Sequence, residues 1–251
     1  MLLSETKISK RGLFYTSKDI FSTQRESDRA IAKATKMLSV KRSELNIYAS
    51  SRGFFAGDLT LFFSDFTSVT SDPLLFTPSS IRGDMDSAFL RAETRARCIL
   101  VVEKYSFFHR LVSSEAFRAK ISTKCVCVTA CGYPNEATLF LLGKLGLPVL
   151  VLVDYDPYGI DIAASYERVI PSVLWLGLCA GDLHVLSVDP NNIQALSTND
   201  LKKASSLLKR CPKYEDEIKI MIDIGKKVEL EAVSNDPSFE RILIDKILKS
   251  I

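Results

Sequence analysis

Three short runs in the second half of the chain are apolar at almost every position: CILVV at 98–102, CVCVT at 125–129 and PVLVLV at 148–153. Strands that show one face to water alternate, whereas strands buried on both faces do not, so these runs read as central strands of a parallel sheet. Helical periodicity separates them. Phe107, Phe108, Leu111, Val112 and Phe117 recur at near-helical spacing between Ser106 and Ile121, and NEATLFLLGKLG supplies a second helix stopped at Gly146. A third helix is expected after Pro157, and SVLWLGL, Ser172 to Leu178, is a fourth strand. The alternation predicts an α/β fold with a mostly parallel sheet flanked by helices on both faces.

Outside that block the pattern changes. After Cys179, VDPNNIQ reads as a loop, while NDLKKASSLLKR and the stretch from Glu215 to Glu231 read as charged helices with one apolar face. Upstream, ESDRAIAKATKMLSV has helical character, and LNIYASSRGFFAGDLTLFF reads as a hairpin turning around Ser51 to Gly57. The segment around Tyr15 is open between strand and helix. The Ser-, Thr- and Pro-rich stretch from Thr67 to Arg82 reads as connector. The expected division is a first region at 1–65, a connector at 66–94, and an α/β domain with a C-terminal helical extension at 95–251.

Composition narrows the class without deciding the function. Of 251 residues, 47% are hydrophobic and 25% charged, as in an ordinary globular protein. The 33 Lys and Arg against 30 Asp and Glu leave a net charge of +3, which permits a local basic patch for nucleic acid but does not demand one. Cys125, Cys127 and Cys131 lack the paired spacing of a zinc site, so buried thiols in a reducing compartment are expected. The apolar part of MLLSETKISKRG is short for a secretory signal, and no later run reaches the roughly 20 apolar residues of a membrane span. An intracellular, soluble protein with no membrane partner is the expectation.

The sharpest chemistry is acidic. Glu103 follows the first apolar strand, and Asp154 and Asp156 follow the third. Residues two apart on extended chain face one side, and open α/β sheets bind ligands at the carboxyl ends of their strands. Hard oxygen donors from two strands suit Mg²⁺ and phosphoryl chemistry; solvated strand-end carboxylates are the plain alternative. Arg11 and Tyr15, four apart, share a side in strand or helix, and a tyrosine hydroxyl can attack a phosphodiester when a cation favours its oxyanion. A structural Tyr is the ordinary reading. In SSRGFFAGDL, Gly53 and Gly57 suit turn geometry and Arg52 is a candidate phosphate contact. His109 and His184 stand alone and read as structural, and KKASSLLKR reads as a solvated face able to join a DNA-facing patch.

Taken in order, KRGLFYTSKDIF, LNIYASSRGFFAGDL, VVEK, ACGYPNEAT, VLVDYDPYGID and VLWLGL resemble the family of DNA-cleaving transesterases that unites meiotic double-strand-break proteins with the A subunits of type IIB topoisomerases. The likeness runs from about Lys10 to Leu178. It implies a Toprim-like domain preceded by a partial winged-helix (CAP-like) region, the lead before Tyr15 being short. Tyr15 would be the nucleophile, Arg11 its phosphate-binding partner, and Glu103, Asp154 and Asp156 the Mg²⁺ ligands. Double-stranded DNA, a homodimer with a shared site, a nuclear location in meiosis and a topoisomerase VI B-like subunit follow from the same resemblance.

The chain departs from the family pattern at Gly12, where an acid is usual, and in the turn at Cys131, Asn135 and Leu139, where Lys, Asp and Arg are usual. Loss of those charges weakens a phosphate-facing loop. Two alternatives therefore stand beside the transesterase: a catalytically inactive paralogue that binds DNA or assembles with partners, and a Toprim nuclease using metal-bound water.

Overall fold

The structure is a computed structural model that describes residues 7–48, 52–234 and 236–251. At the start, β1 (Ile8–Ser9) runs directly into α1 (Lys10–Thr16). The Ser9 hydroxyl accepts the Gly12 amide at 2.9 Å, an N-cap that settles the Tyr-bearing segment as helix. Thr23 caps α2 (Gln24–Leu38) in the same way, while Glu26 accepts the Ser22 amide in return. Helix α2 stops at Ser39 in the left-handed region, and β2 (Ile47–Tyr48) then pairs in parallel with β1.

Next come β3 (Phe54–Ala56), β4 (Leu59–Phe63), β5 (Ser68–Ser71), β6 (Ser79–Ser80), α3 (Met85–Ala88) and β7 (Phe89–Glu93). The expected hairpin does not form. Ser51 lies outside the described residues, and β3 and β4 enter different sheets: β4 pairs antiparallel with β5 and β7 to make a three-stranded sheet, and β3 joins the large sheet. Gly57 makes the crossing at φ +119°, where a Cβ would stand 2.9 Å from the Cys125 carbonyl oxygen. The segment expected as connector instead contains the short strands β5, β6 and β7 and the helix α3. Ser68 and Thr70 of β5 face outward, whereas Ser71 is buried and its hydroxyl donates to the Thr77 carbonyl at 3.0 Å.

The large sheet has β8 (Cys98–Val102) and β9 (Cys125–Thr129) at its centre, with β10 (Val149–Leu152) and β11 (Val173–Gly177) beyond β8. Its order is β11-β10-β8-β9-β3-β6; the first four are mutually parallel, and β3 and β6 add an antiparallel edge. Alternate residues feed two cores. Cys98, Leu100, Cys127 and Leu150 pack on one face, Ile99, Val101, Val128 and Val151 on the other, which is why these strands carry almost no polar position. Helical residues expected from Ser106 to Ile121 form two helices, α4 (Tyr105–Ser113) and α5 (Glu115–Ile121). Ser114 breaks them, its extended backbone and hydroxyl capping the Phe117 amide. Helix α6 (Glu136–Leu145) ends at left-handed Gly146, and α7 (Pro157–Glu167) follows β10.

Helix α8 (Ala180–Val185), β12 (Ile193–Ala195), α9 (Thr198–Arg210), α10 (Glu215–Ile224), β13 (Lys226–Val228), α11 (Leu230–Val233) and α12 (Pro237–Lys249) complete the chain. The helix expected over 215–231 ends early because Gly225 takes the left-handed conformation, and β13 then pairs antiparallel with β12. Val228 also exchanges backbone hydrogen bonds with Tyr155, at 2.8 and 3.1 Å, which brings this segment against the end of β10. Among the described residues no helix is long and apolar enough to cross a membrane.

Candidate metal centre and the exposed tyrosine

Parallel pairing of β8 with β10 puts Glu103 and Asp154 side by side just past the strand ends. The Glu103 amide donates to the Leu152 carbonyl at 3.1 Å, and the Asp154 amide donates to Glu103 Oε2 at 3.0 Å. The Glu103 carbonyl accepts the Gly132 amide at 2.8 Å, tying in the turn after β9. Asp156 is the N-cap of α7, its Oδ1 accepting the Gly159 amide at 2.6 Å ahead of Pro157 at the first helical position. Gly159 is required there: a Cβ would lie 2.3 Å from the Asp154 carbonyl oxygen.

Burial, and next the neighbouring Asp154 charge, push the Glu103 carboxyl up to about 7. Burial also raises Asp154 and Asp156 above the ordinary carboxylate range, although hydrogen bonds from Leu230 and Gly159 respectively oppose the rise. Three partly desolvated carboxylates match the hard-oxygen donor chemistry of Mg²⁺. The fit is one of donor type. Among the described residues, no three His, Cys, Asp or Glu side chains converge tightly enough to enclose a metal ion. Asp154 is otherwise engaged: Oδ1 accepts the Leu230 amide at 2.8 Å, and Oδ2 lies 2.9 Å from the Lys104 ammonium.

Lys104 also reaches Glu229 at 3.0 Å and Glu231 at 3.4 Å, and the Ser106 hydroxyl donates to Glu231 at 2.7 Å. None of these neighbours stands out in the sequence, where Glu229 and Glu231 read as part of a charged helix. Tyr133, in the turn after β9, is another addition. Its hydroxyl donates to Asp161 Oδ2 at 2.8 Å, and Asp161 also takes Lys203 at 2.6 Å and Arg210 at 3.5 Å, fastening α9 to α7 and to the turn.

In that turn Cys131 is exposed in the left-handed region, and its thiol donates to the Arg52 carbonyl at 2.9 Å. Arg52, itself exposed, is thereby placed beside the turn that Glu103 holds through Gly132. Asn135 caps α6 by accepting the Thr138 amide, and Leu139 packs against the apolar core. His109 stacks near Tyr105, 5.9 Å between ring centres, and His184 lies on α8; neither bonds to the acids.

Helix α1 carries Arg11 and Tyr15 one turn apart on one side. Tyr15 is 61% exposed, with the Lys18 ammonium 5.0 Å from its ring centre. Leu13 alone on this helix is buried. Among the described residues, neither Arg11 nor Tyr15 makes a hydrogen bond or ion pair to Glu103, Asp154 or Asp156.

Comparison with known proteins places these features. Residues 98–247 match the family model for the Toprim domain of Spo11 and the topoisomerase 6 A subunit, and residues 1–47 match the model described as type IIB DNA topoisomerase. Meiotic recombination protein SPO11-2 of Arabidopsis thaliana is 34% identical over 259 residues, covering 93% of this chain and 66% of its own length. Meiotic recombination protein SPO11 of Mus musculus is 32% identical, covering 93% and 63%. The DNA topoisomerase 6 A subunit of Arabidopsis thaliana is 30% identical, covering 94% and 59%. The chain therefore spans two thirds or less of the length of these relatives. With a Toprim family match across most of its α/β domain and the acids at the ends of β8 and β10, the chain belongs to the family formed by Spo11 and the topoisomerase 6 A subunit.

Proposed function

We propose that this protein cleaves double-stranded DNA by transesterification and acts in the nucleus to start meiotic recombination. The observation that carries the reading is the exposed Tyr15 one turn from Arg11 on a capped helix, in a chain that also holds paired acids at its parallel strand ends. The Tyr15 oxygen gives up its proton and attacks a phosphodiester phosphorus in line. The bond to the 3′ oxygen breaks, that oxygen takes a proton, and the 5′ phosphate stays on tyrosine as an ester. Arg11 lies beside the phosphate and offsets the negative charge that develops there. Mg²⁺ held by Glu103, Asp154 and Asp156 would offset charge on the phosphate oxygens. Arg52 supplies a further phosphate contact from the neighbouring turn.

Membership of the Spo11 and topoisomerase 6 A-subunit family supports a homodimer whose site is shared, one copy giving the tyrosine and the other the carboxylates. The segment β1-α1-α2-β2 serves as part of a winged-helix (CAP-like) region, and a topoisomerase VI B-like subunit is the further partner. Immunoprecipitation from meiotic cells followed by labelling of attached DNA 3′ ends tests this. Labelled oligonucleotides in wild type that vanish in Tyr15→Phe support it; label that persists in the variant refutes it.

A second reading, an inactive paralogue that assembles with an active one, is favoured by the turn, where Asn135 serves α6 and Leu139 the core instead of facing phosphate. Covalent protein–DNA complexes formed by this chain exclude it.

A further inference from the structure

Lys104 is bonded to three carboxylates that come from two separate parts of the chain: Asp154 at 2.9 Å, Glu229 at 3.0 Å and Glu231 at 3.4 Å. Its backbone is fixed, because its carbonyl accepts the Phe108 amide at 2.9 Å at the start of α4. The side chain, by contrast, is a flexible four-carbon stem with a point charge. Glu229 and Glu231 flank Leu230, whose amide binds the other Asp154 oxygen at 2.8 Å, and Ser106 holds Glu231 at 2.7 Å. One ammonium thus bridges Asp154 and a pair of glutamates, so it can leave Asp154 while keeping Glu229 and Glu231 as partners.

We propose that Lys104 is a positioning residue that competes with a divalent cation for Asp154, with Glu229 and Glu231 as the alternative acceptors of its charge. The inference rests on the reading that Glu103, Asp154 and Asp156 bind such a cation. A divalent ion on Asp154 and the Lys104 ammonium repel at short range in a partly desolvated site. Withdrawal of the ammonium to Glu229 and Glu231 relieves that repulsion without unpairing any charge. Cation entry is therefore coupled to the α11 segment, which shares Asp154 with it.

The test is Mn²⁺ binding to the full chain, followed by the electron paramagnetic resonance of free Mn²⁺ at pH near 8. Lys104→Met is expected to bind about 10-fold tighter than wild type, since a positive charge next to a ligand is removed. The double variant Glu229→Gln/Glu231→Gln is expected to bind about 3-fold weaker or worse, because Lys104 then has only Asp154. In the Lys104→Met background the same glutamate changes are expected to shift affinity by less than about 2-fold. Lys104→Gln repeats the measurement if the methionine variant does not fold. Equal or weaker binding by both Lys104 variants overturns the inference, as does an undiminished glutamate effect in the Lys104→Met background. Asp154→Asn separates the two levels. Binding unaffected by Asp154→Asn, or no binding by folded wild type and Lys104 variants alike, removes the metal reading itself and the inference with it.

Discussion

The Asp154 amide donates to Glu103 Oε2 at 3.0 Å, so a carboxylate, rather than a carbonyl, closes the end of the β8–β10 pair. The same carboxyl is raised to about 7, chiefly by burial, so the hydrogen bond and the charge make opposite contributions. Glu103→Gln keeps an acceptor and removes the charge; in chelator at pH near 8 it is expected to stabilise by about 1 kcal/mol. Glu103→Ala leaves the Asp154 amide unpaired and is expected to cost about 2 kcal/mol. Urea unfolding of the two variants distinguishes the contributions, and a glutamine variant less stable than the alanine variant contradicts this arrangement.

Two helical glycines provide a paired check on packing. Gly159→Ala drives a Cβ to 2.3 Å from the Asp154 carbonyl oxygen and is expected to cost roughly 3 kcal/mol. Gly143→Ala, on α6 with nothing within 4 Å of the added carbon, is expected to stabilise by roughly 0.5–1 kcal/mol through helix propensity. Opposite shifts in melting temperature are the outcome to look for.

Asp161 ties three elements together and carries a pH signature. Burial works to raise its carboxyl, but hydrogen bonds from Lys203 and Tyr133 and the nearby charge of Arg210 outweigh it and hold the group below the ordinary value of 3.8. A lowered carboxyl stabilises the fold above its unfolded pKa, and that contribution is lost as pH falls through the folded value. Asp161→Asn is expected to cost about 2 kcal/mol at neutral pH and to leave stability less dependent on pH below about 4. Unfolding curves for both proteins at pH near 7 and near 3 test it, and an unchanged acid dependence in the variant tells against the cluster.

Legibility from sequence follows burial. Strands β8 to β10 are apolar on both faces, so the parallel sheet and the juxtaposition of Glu103 with Asp154 are visible in the pattern. Strands β5 and β7 are not, since Ser, Thr and charged residues on their solvent side resemble loop composition. The break at Ser114 is hidden because apolar periodicity continues across it from Phe107 to Phe117. Gly53 and Gly57 read in the sequence as turn geometry and so suggest a hairpin, but Gly57 stands where the chain changes sheets, because a turn's destination depends on distant strands. The Lys104 link to Glu229 and Glu231 joins residues far apart in the chain and leaves no local trace.

The most direct test concerns the Tyr15 oxygen. The protein is purified from meiotic cells under denaturing conditions, digested with nuclease and protease, and the peptides are searched by mass spectrometry for a residual nucleotide. A Tyr15 peptide carrying a nucleotide through its 5′ phosphate is the expected result. Nucleotide attached to a different residue, or DNA breaks that depend on this chain with Tyr15 never modified, would contradict it.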